Sequence, residues 1–314
     1  MQKRTLGRSG ISIAPLVLGG NVFGWTADEP TSFAVLDRFL DLGFNAIDTA
    51  DSYSAFAPGN AGGESETVIG NWLQRRGRRD DVVVMTKVGM WDRHKGLRAA
   101  NIEAAAEDSL RRLQTSYIDV YFAHMDDRTV PLEETLNAFY RLIQAGKVRA
   151  IGASNYEAAR LTEALDVAAS RSLPRYEVLE PPYNLYDRAE FEGGLQKVAI
   201  DKALGVVCYF GLASGFLTGK YRSEQDVEGK ARGGFVQNYL DDRGYRILKA
   251  LDEVSSELFA TQAEVALAWL IARPGVAAPI ASATSVRQLE DMLGAARLPL
   301  SDDAIRRLDE ASAY

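Results

Sequence analysis

Ile118-Asp-Val-Tyr-Phe122, Leu132-Glu-Glu-Thr-Leu-Asn-Ala-Phe-Tyr-Arg-Leu-Ile-Gln-Ala-Gly146 and Val148-Arg-Ala-Ile-Gly-Ala153 follow one another along the chain. The two outer pieces are short and almost wholly apolar, as strands buried on both faces are. In the middle piece Leu132, Leu136, Phe139, Leu142 and Ile143 recur at steps of three and four, giving one apolar stripe that faces a sheet. Gly146 ends the helix as a C-terminal cap, and the next strand starts directly behind it. Strand, helix and strand in this order form a right-handed crossover between parallel neighbours.

The same alternation extends in both directions. Strands are expected at residues 15–19, 44–48, 82–86, 118–122, 148–153, 176–180, 206–209 and 276–281, and helices include 32–42, 65–76, 98–113, 132–145 and 157–169. Eight such strands with crossover helices predict an α/β fold, a parallel (β/α)8 TIM barrel. A doubly wound open sheet satisfies the same periodicity, which does not distinguish open from closed. Residues 4–13 read as a small N-terminal hairpin closing the bottom of the barrel, and residues 213–242, rich in glycine and charge, as a long irregular loop over the C-terminal mouth. No linker or composition shift interrupts the pattern, so residues 1–314 read as one domain.

Of the 314 residues, 46% are hydrophobic, 25% charged and 9% aromatic, which excludes disorder and fibrous repeats. The 36 basic and 43 acidic side chains leave a net charge of −7, a balance that attracts neither nucleic acid nor anionic membrane surfaces. One cysteine excludes an internal disulfide, and two histidines cannot build a multi-histidine metal centre. The basic start Met1-Gln-Lys-Arg leads into Gly10, Ser12 and Pro15 rather than an apolar run, and no stretch approaches the roughly eighteen uninterrupted apolar residues of a membrane span. The chain reads as soluble and cytoplasmic.

In a barrel of this kind, function resides at the C-terminal ends of the strands. There the chain places Asp48, Lys87 and His124 behind three successive strands, with Tyr53 five residues beyond Asp48. A lysine behind an apolar run requires a paired carboxylate, for which Asp48 is the nearest candidate. Taken singly, these residues fit a buried ion pair and a core histidine. At one end of adjacent strands they fit a reactive site.

Asn45-Ala-Ile-Asp-Thr-Ala-Asp-Ser-Tyr53 resembles the catalytic aspartate and tyrosine segment of the aldo-keto reductases. Thr86-Lys87-Val88 is similar to that family's lysine segment, Phe122-Ala-His124 to its histidine segment and Gly152-Ala-Ser-Asn155 to its nicotinamide-binding Ser-Asn; Pro182-Tyr-Asn-Leu185 and Gly215-Phe-Leu-Thr-Gly-Lys-Tyr221 are also similar. The resemblance runs from about Leu6 to about Leu293, with the motifs in order. It implies a reversible carbonyl reductase, with a small-molecule carbonyl or alcohol substrate.

Tyrosine ionises near 10, so it needs help to exchange a proton near neutrality. The implied roles are Tyr53 as general acid and base, Lys87 with Asp48 as its tuning pair, and His124 as orienter of the carbonyl.

No side chain supplies a hydride, so a cofactor must. Leu18-Gly-Gly-Asn-Val-Phe-Gly24 does not fit a Rossmann fingerprint, and Gly215–Lys220 is one residue short of a P-loop. By the resemblance, Ser154 and Asn155 hold the nicotinamide carboxamide and Tyr209 stacks on its ring. Leu212, Ser214, Gly215, Leu217 and Lys220 then line the pyrophosphate path, and Ser282, Thr284, Arg287 and Gln288 face the adenosine phosphate.

Glu180 replaces a customary glutamine against the carboxamide, and Met292 a customary asparagine at adenine. The resemblance implies NADPH (NADP) as cofactor, and Arg287 as the only cation in its segment leaves NADH open.

Phe23, Trp25, Phe56, Trp91 and Met125 are expected to wall the substrate pocket, with residues 57–63 a mobile rim. Cys208 reads as an inert buried thiol, His94 as a solvated surface residue and Asp51 as a turn residue. Two other classes stay open: oxidation of a sugar or cyclic alcohol, and a nucleotide-sensing regulatory subunit such as the potassium-channel β subunits that resemble this family. A metal-dependent barrel hydrolase is remote on the histidine count.

Overall fold

A computed structural model describes residues 1–229 and 233–314. Among the described residues there are ten strands: β1 (Arg4–Thr5), β2 (Ser12–Ile13), β3 (Val17–Gly19), β4 (Ala46–Asp48), β5 (Val83–Val88), β6 (Ile118–Ala123), β7 (Val148–Ser154), β8 (Val178–Glu180), β9 (Gly205–Cys208) and β10 (Val276–Ala281). Strands β3 to β10 form a closed parallel barrel. Closure is made where Ile280 and Ala281 of β10 stand opposite Val17 and Leu18 of β3, which disposes of the open-sheet alternative.

Each expected strand occurs within a few residues of its place. The first helix starts earlier than its apolar stripe, at Glu29, because the Asp28 side chain accepts from Thr31 N–H and Pro30 fits the first turn.

Side chains alternate across each strand, and this alternation builds two cores. Val17, Ala46, Val83, Met85, Val120, Phe122, Ala150, Val178 and Val207 fill the barrel interior, while Leu18, Ile47, Val84, Tyr121, Ile151, Leu179 and Val206 pack outward under the helices. Counting two residues beyond Ala46, Met85, Phe122 and Val178 reaches Asp48, Lys87, His124 and Glu180. The four polar groups therefore continue the inward-facing rows at the C-terminal end. Gly152 in β7 is needed for this packing, since a Cβ there would strike the Phe122 ring.

The β1–β2 hairpin closes the other end, as expected. Leu6, Ile11 and Ile13 cap the interior core, and the Arg4 guanidinium donates to Ile271 O, Val276 O and Ala277 O at 3.0, 2.9 and 3.3 Å.

The segment expected to be irregular is built instead from short helical turns, Ala213–Thr218, Glu224–Val227, Gly233–Val236 and Gln237–Tyr239; part of that expectation, residues 230–232, lies outside the described residues. Its order comes from specific anchors. Phe216 stacks on Tyr239 at 5.5 Å, the Tyr239 hydroxyl donates to Asp187 at 2.8 Å, and Arg222 pairs with Asp252 at 2.8 Å. Among the described residues no helix is long and apolar enough to cross a membrane.

Phe122 is fully buried inside the barrel beneath Lys87. Phe122→Ala is expected to lower the unfolding free energy by about 3–5 kcal/mol in denaturant titrations.

Candidate active site

Of the four polar groups that continue the interior rows, Asp48 and Glu180 meet the Lys87 ammonium, and His124 stands beside Tyr53. Lys87 Nζ lies 2.5 Å from Asp48 Oδ1, 2.9 Å from Thr49 O, 3.1 Å from the Tyr53 hydroxyl and 3.2 Å from Glu180 Oε1. The lysine is 0% exposed. The Tyr53 hydroxyl, accepting from Lys87, donates to Asp48 Oδ2 at 3.3 Å.

Tyr53 is carried by the turn behind β4. That turn is held by its own backbone bonds and by Ser54, whose hydroxyl donates to Phe23 O at 2.8 Å and whose φ is +70°. His124 directly follows β6, its N–H bonded to Val88 O at 2.9 Å, and its ring meets Tyr53 edge-on at 6.1 Å.

Burial dominates the electrostatics. It works to discharge Lys87, but Asp48 and Glu180 outweigh it and hold the ammonium above its ordinary range. Burial and then Asp48 raise the Tyr53 phenol, with Lys87 pulling against them. Burial, helped by Lys87, lowers His124 to about 3, so its imidazole is neutral at physiological pH. Its Nδ1 is buried without a partner. Such a group can share a hydrogen bond with a ligand without competing as an acid.

A second network adjoins His124. Asn155 adopts the left-handed region at φ +56°, a conformation asparagine tolerates better than most residues. Its Nδ2 donates to His124 O at 2.8 Å and its Oδ1 accepts from the Tyr209 hydroxyl at 2.7 Å. Ser154 Oγ donates to Glu180 O at 2.9 Å. Ser154, Asn155, Glu180 and Tyr209 are thus joined to the lysine cluster.

Further round the rim, Ser214 and Gly215 are both left-handed, and Lys220 is exposed with its ammonium over the Tyr221 ring. The N–H groups of Gly215 and Leu217 are used internally, both to Leu212 O, which leaves Lys220 to meet an anion. Leu217 is buried and Leu212 half-buried.

Ser282 is hydrogen-bonded to Asn21, and the Gln288 amide oxygen is held by Thr284 N–H and Oγ1 at 3.0 and 2.9 Å. Arg287 is exposed and makes no ion pair among the described residues.

The aromatic candidates divide. Trp25 and Phe56 meet edge-to-face at 4.9 Å, with Phe56 61% exposed, and Met125 is also exposed. Phe23 is corrected: it is fully buried in the outer core, because the turn after β3 folds its ring inward. Trp91 is nearly buried too, its indole N–H donating to Ala61 O at 3.2 Å and its face covered by Arg93 and Arg112. It pins residues 57–63 together with Asn60, which donates to Gly24 O, and Glu64, which accepts from Ala61 and Gly62 N–H. The expected mobile rim is therefore anchored.

His94 is buried between Asn101 and Asp108, at 3.2 and 3.0 Å, rather than solvated. Cys208 is buried, and burial pushes its thiol up. Asp51 is more than a turn residue. It is fully buried with neither carboxyl oxygen partnered, and burial and Glu66 push it up to about 8 against Arg112. Glu66, pairing Arg112 at 2.6 Å and accepting from Thr86 at 2.6 Å, escaped sequence reading because its helical position gives no sign of the arginine.

The family model for the aldo/keto reductase family matches residues 15–313. The chain belongs to that family. This aldo/keto reductase is 34% identical to the Bacillus subtilis protein described as uncharacterized oxidoreductase YrpG, covering 99% of this chain and 95% of the relative. It is 31% identical to protein tas of Escherichia coli, covering 98% and 97%. It is 34% identical to a probable voltage-gated potassium channel subunit beta of Oryza sativa, covering 96% and 93%.

Asp51 retains in the folded aldo/keto reductase a proton that the unfolded chain releases in the ordinary carboxylate range. Its stabilising effect is complete below that range and is lost as pH rises through about 8. The thermal midpoint is expected to fall across that window, and to fall less in Asp51→Asn. Equal slopes for the two proteins would contradict the assignment.

Proposed function

We propose that this chain is a single-domain, cytoplasmic, NADP(H)-dependent oxidoreductase that reversibly reduces an aldehyde or ketone to an alcohol, with Tyr53 as general acid and base. The reading is carried by the phenol of Tyr53, 3.1 Å from an ammonium that Asp48 holds at 2.5 Å. Reducing a carbonyl requires a proton at its oxygen as charge develops there. Tyr53 carries that proton, and Lys87 lowers the cost of the phenolate left behind. Asp48 keeps the lysine charged in a site whose burial favours the neutral amine. Neutral His124 can donate a hydrogen bond to the same oxygen and orient it. In the reverse direction Tyr53 takes the alcohol proton, by microscopic reversibility.

The residues present fit a nicotinamide dinucleotide. Buried His124 Nδ1 and Glu180 Oε2, without hydrogen-bond partners among the described residues, offer polar groups beneath the mouth, and the Ser154–Asn155–Tyr209 network and exposed Lys220 offer donors, acceptors, a ring and a cation around it. When bound, the nicotinamide supplies the hydride. Ser154, Asn155 and Glu180 would hold the carboxamide, Tyr209 the ring, and Lys220 the pyrophosphate, along a path lined by Leu212, Ser214, Gly215 and Leu217.

Arg287, with Ser282, Thr284 and Gln288 beside it, supports NADPH, with NADH as second cofactor because this is the segment's only cation. Trp25, Phe56 and Met125 would receive the substrate, with Trp91 behind them. A nucleotide-sensing regulatory role is the second reading, favoured by the likeness to the rice channel subunit.

Quenching of the four tryptophans on titration with NADPH and then NADH tests the cofactor. Saturable quenching by either, tighter for NADPH, is expected. Absence of binding to both, checked by calorimetry, would overturn the oxidoreductase reading. With a panel of aldehydes and ketones, Tyr53→Phe is expected to lose about 10²–10⁴-fold in kcat while nucleotide affinity stays near wild type. Binding without turnover of any carbonyl or alcohol would favour the sensor.

A further inference from the structure

A second carboxyl sits on the lysine that serves Tyr53. Asp48 Oδ1 and Glu180 Oε1 lie 2.5 and 3.2 Å from Lys87 Nζ, and all three side chains are buried. One ammonium balances one carboxylate, and a second buried anion is costly unless it is paired or takes a proton. Asp48 has the stronger claim on the charge, with the shorter contact and the Tyr53 hydroxyl on its other oxygen at 3.3 Å. Among the described residues Glu180 has the longer contact alone, and its buried Oε2 has no hydrogen-bond partner.

We propose that Glu180 stands as a neutral acid in the resting site and is a positioning residue whose ionisation, by drawing Lys87 away from the phenol, switches Tyr53 off as a proton donor and acceptor. Neutral, it leaves the ammonium to Asp48 and Tyr53. Ionised, it places a second negative charge beside the phenol and opposes the phenolate in both reaction directions.

The titratable groups facing Glu180 are Asp48 from β4, Tyr53 from the turn behind it, Lys87 from β5, Cys208 from β9 and Tyr209 beyond β9. Burial, and after it Asp48, push the Glu180 carboxyl up to about 8 against the pull of Lys87. The two carboxyls titrate as a pair, and the geometry puts the retained proton on Glu180. The consequence is a reductase that loses turnover on the alkaline side through a group that never touches the carbonyl.

The kinetic half rests on the function proposed above, whereas the protonation state is read without cofactor. Infrared spectra of the ligand-free full chain, recorded from acid to alkaline pH across about 8, are compared for wild type, Glu180→Gln and Asp51→Asn. Wild type is expected to show two protonated-carboxyl signals that fade over that range, one lost in Glu180→Gln and the other in Asp51→Asn. The kcat–pH profile, normalised to each protein's own acid plateau, should lose its alkaline limb in Glu180→Gln and keep it in Asp51→Asn.

An infrared signal set unchanged by Glu180→Gln would overturn the neutral acid. An alkaline limb that survives that substitution would overturn the switch. If no variant turns over any carbonyl with a nicotinamide nucleotide, the proposed function falls, and with it the switch, while the infrared comparison alone decides the proton on Glu180.

Discussion

A fully buried ammonium is the constraint on which this site depends. Lys87 lies inside a barrel whose wall is apolar, and its charge persists chiefly because the Asp48 carboxylate, 2.5 Å away, offsets the cost of burial. That requirement brings three side chains and one backbone oxygen to one point: the carboxyls of Asp48 and Glu180, the carbonyl oxygen of Thr49, and the Tyr53 phenol, which borrows part of the charge. Burial, helped by the Lys87 charge, keeps His124 neutral. In the proposed reaction the neutral orienter and the tuned phenol would both depend on this buried arrangement.

The scaffold makes this arrangement rigid. Strand alternation aims Asp48, Lys87 and Glu180 inward, and the Phe122 ring lies under the lysine, 5.8 Å from its ammonium. The rim is tied down as well: Trp91, Asn60 and Glu64 hold residues 57–63 beside the Tyr53 turn, and Tyr239 ties the segment after β9 to Asp187. Holding reacting groups this way before substrate arrives lowers the cost of reaching the productive geometry.

Much of this was legible in the sequence because the relevant signals are local. Apolar runs alternating with 3.6-residue stripes define all eight barrel strands, and the strand ends point to Asp48, Lys87 and His124. The less legible features depend on packing between distant segments. The helix Gln262–Ala272 is buried on nearly every side, so it carries no amphipathic stripe to read. Asp51 reads as a turn residue because nothing local shows that the turn is sealed beneath the helix Glu64–Arg76 and Arg112. His94 reads as solvated because its partners Asn101 and Asp108 lie on the following helix, and Phe23 reads as pocket because the inward fold of its turn has no sequence mark.

The proposed function requires that the charge of Lys87 govern proton exchange at Tyr53. The most direct measurement is the single-turnover rate of carbonyl reduction by Lys87→Ala at saturating reduced nucleotide, with and without added methylammonium. The account predicts a fall of at least about 100-fold with nucleotide affinity retained, and partial recovery as the small cation fills the space the side chain left. A rate near wild type without added amine would show that Tyr53 needs no lysine, and would contradict the mechanism at its centre.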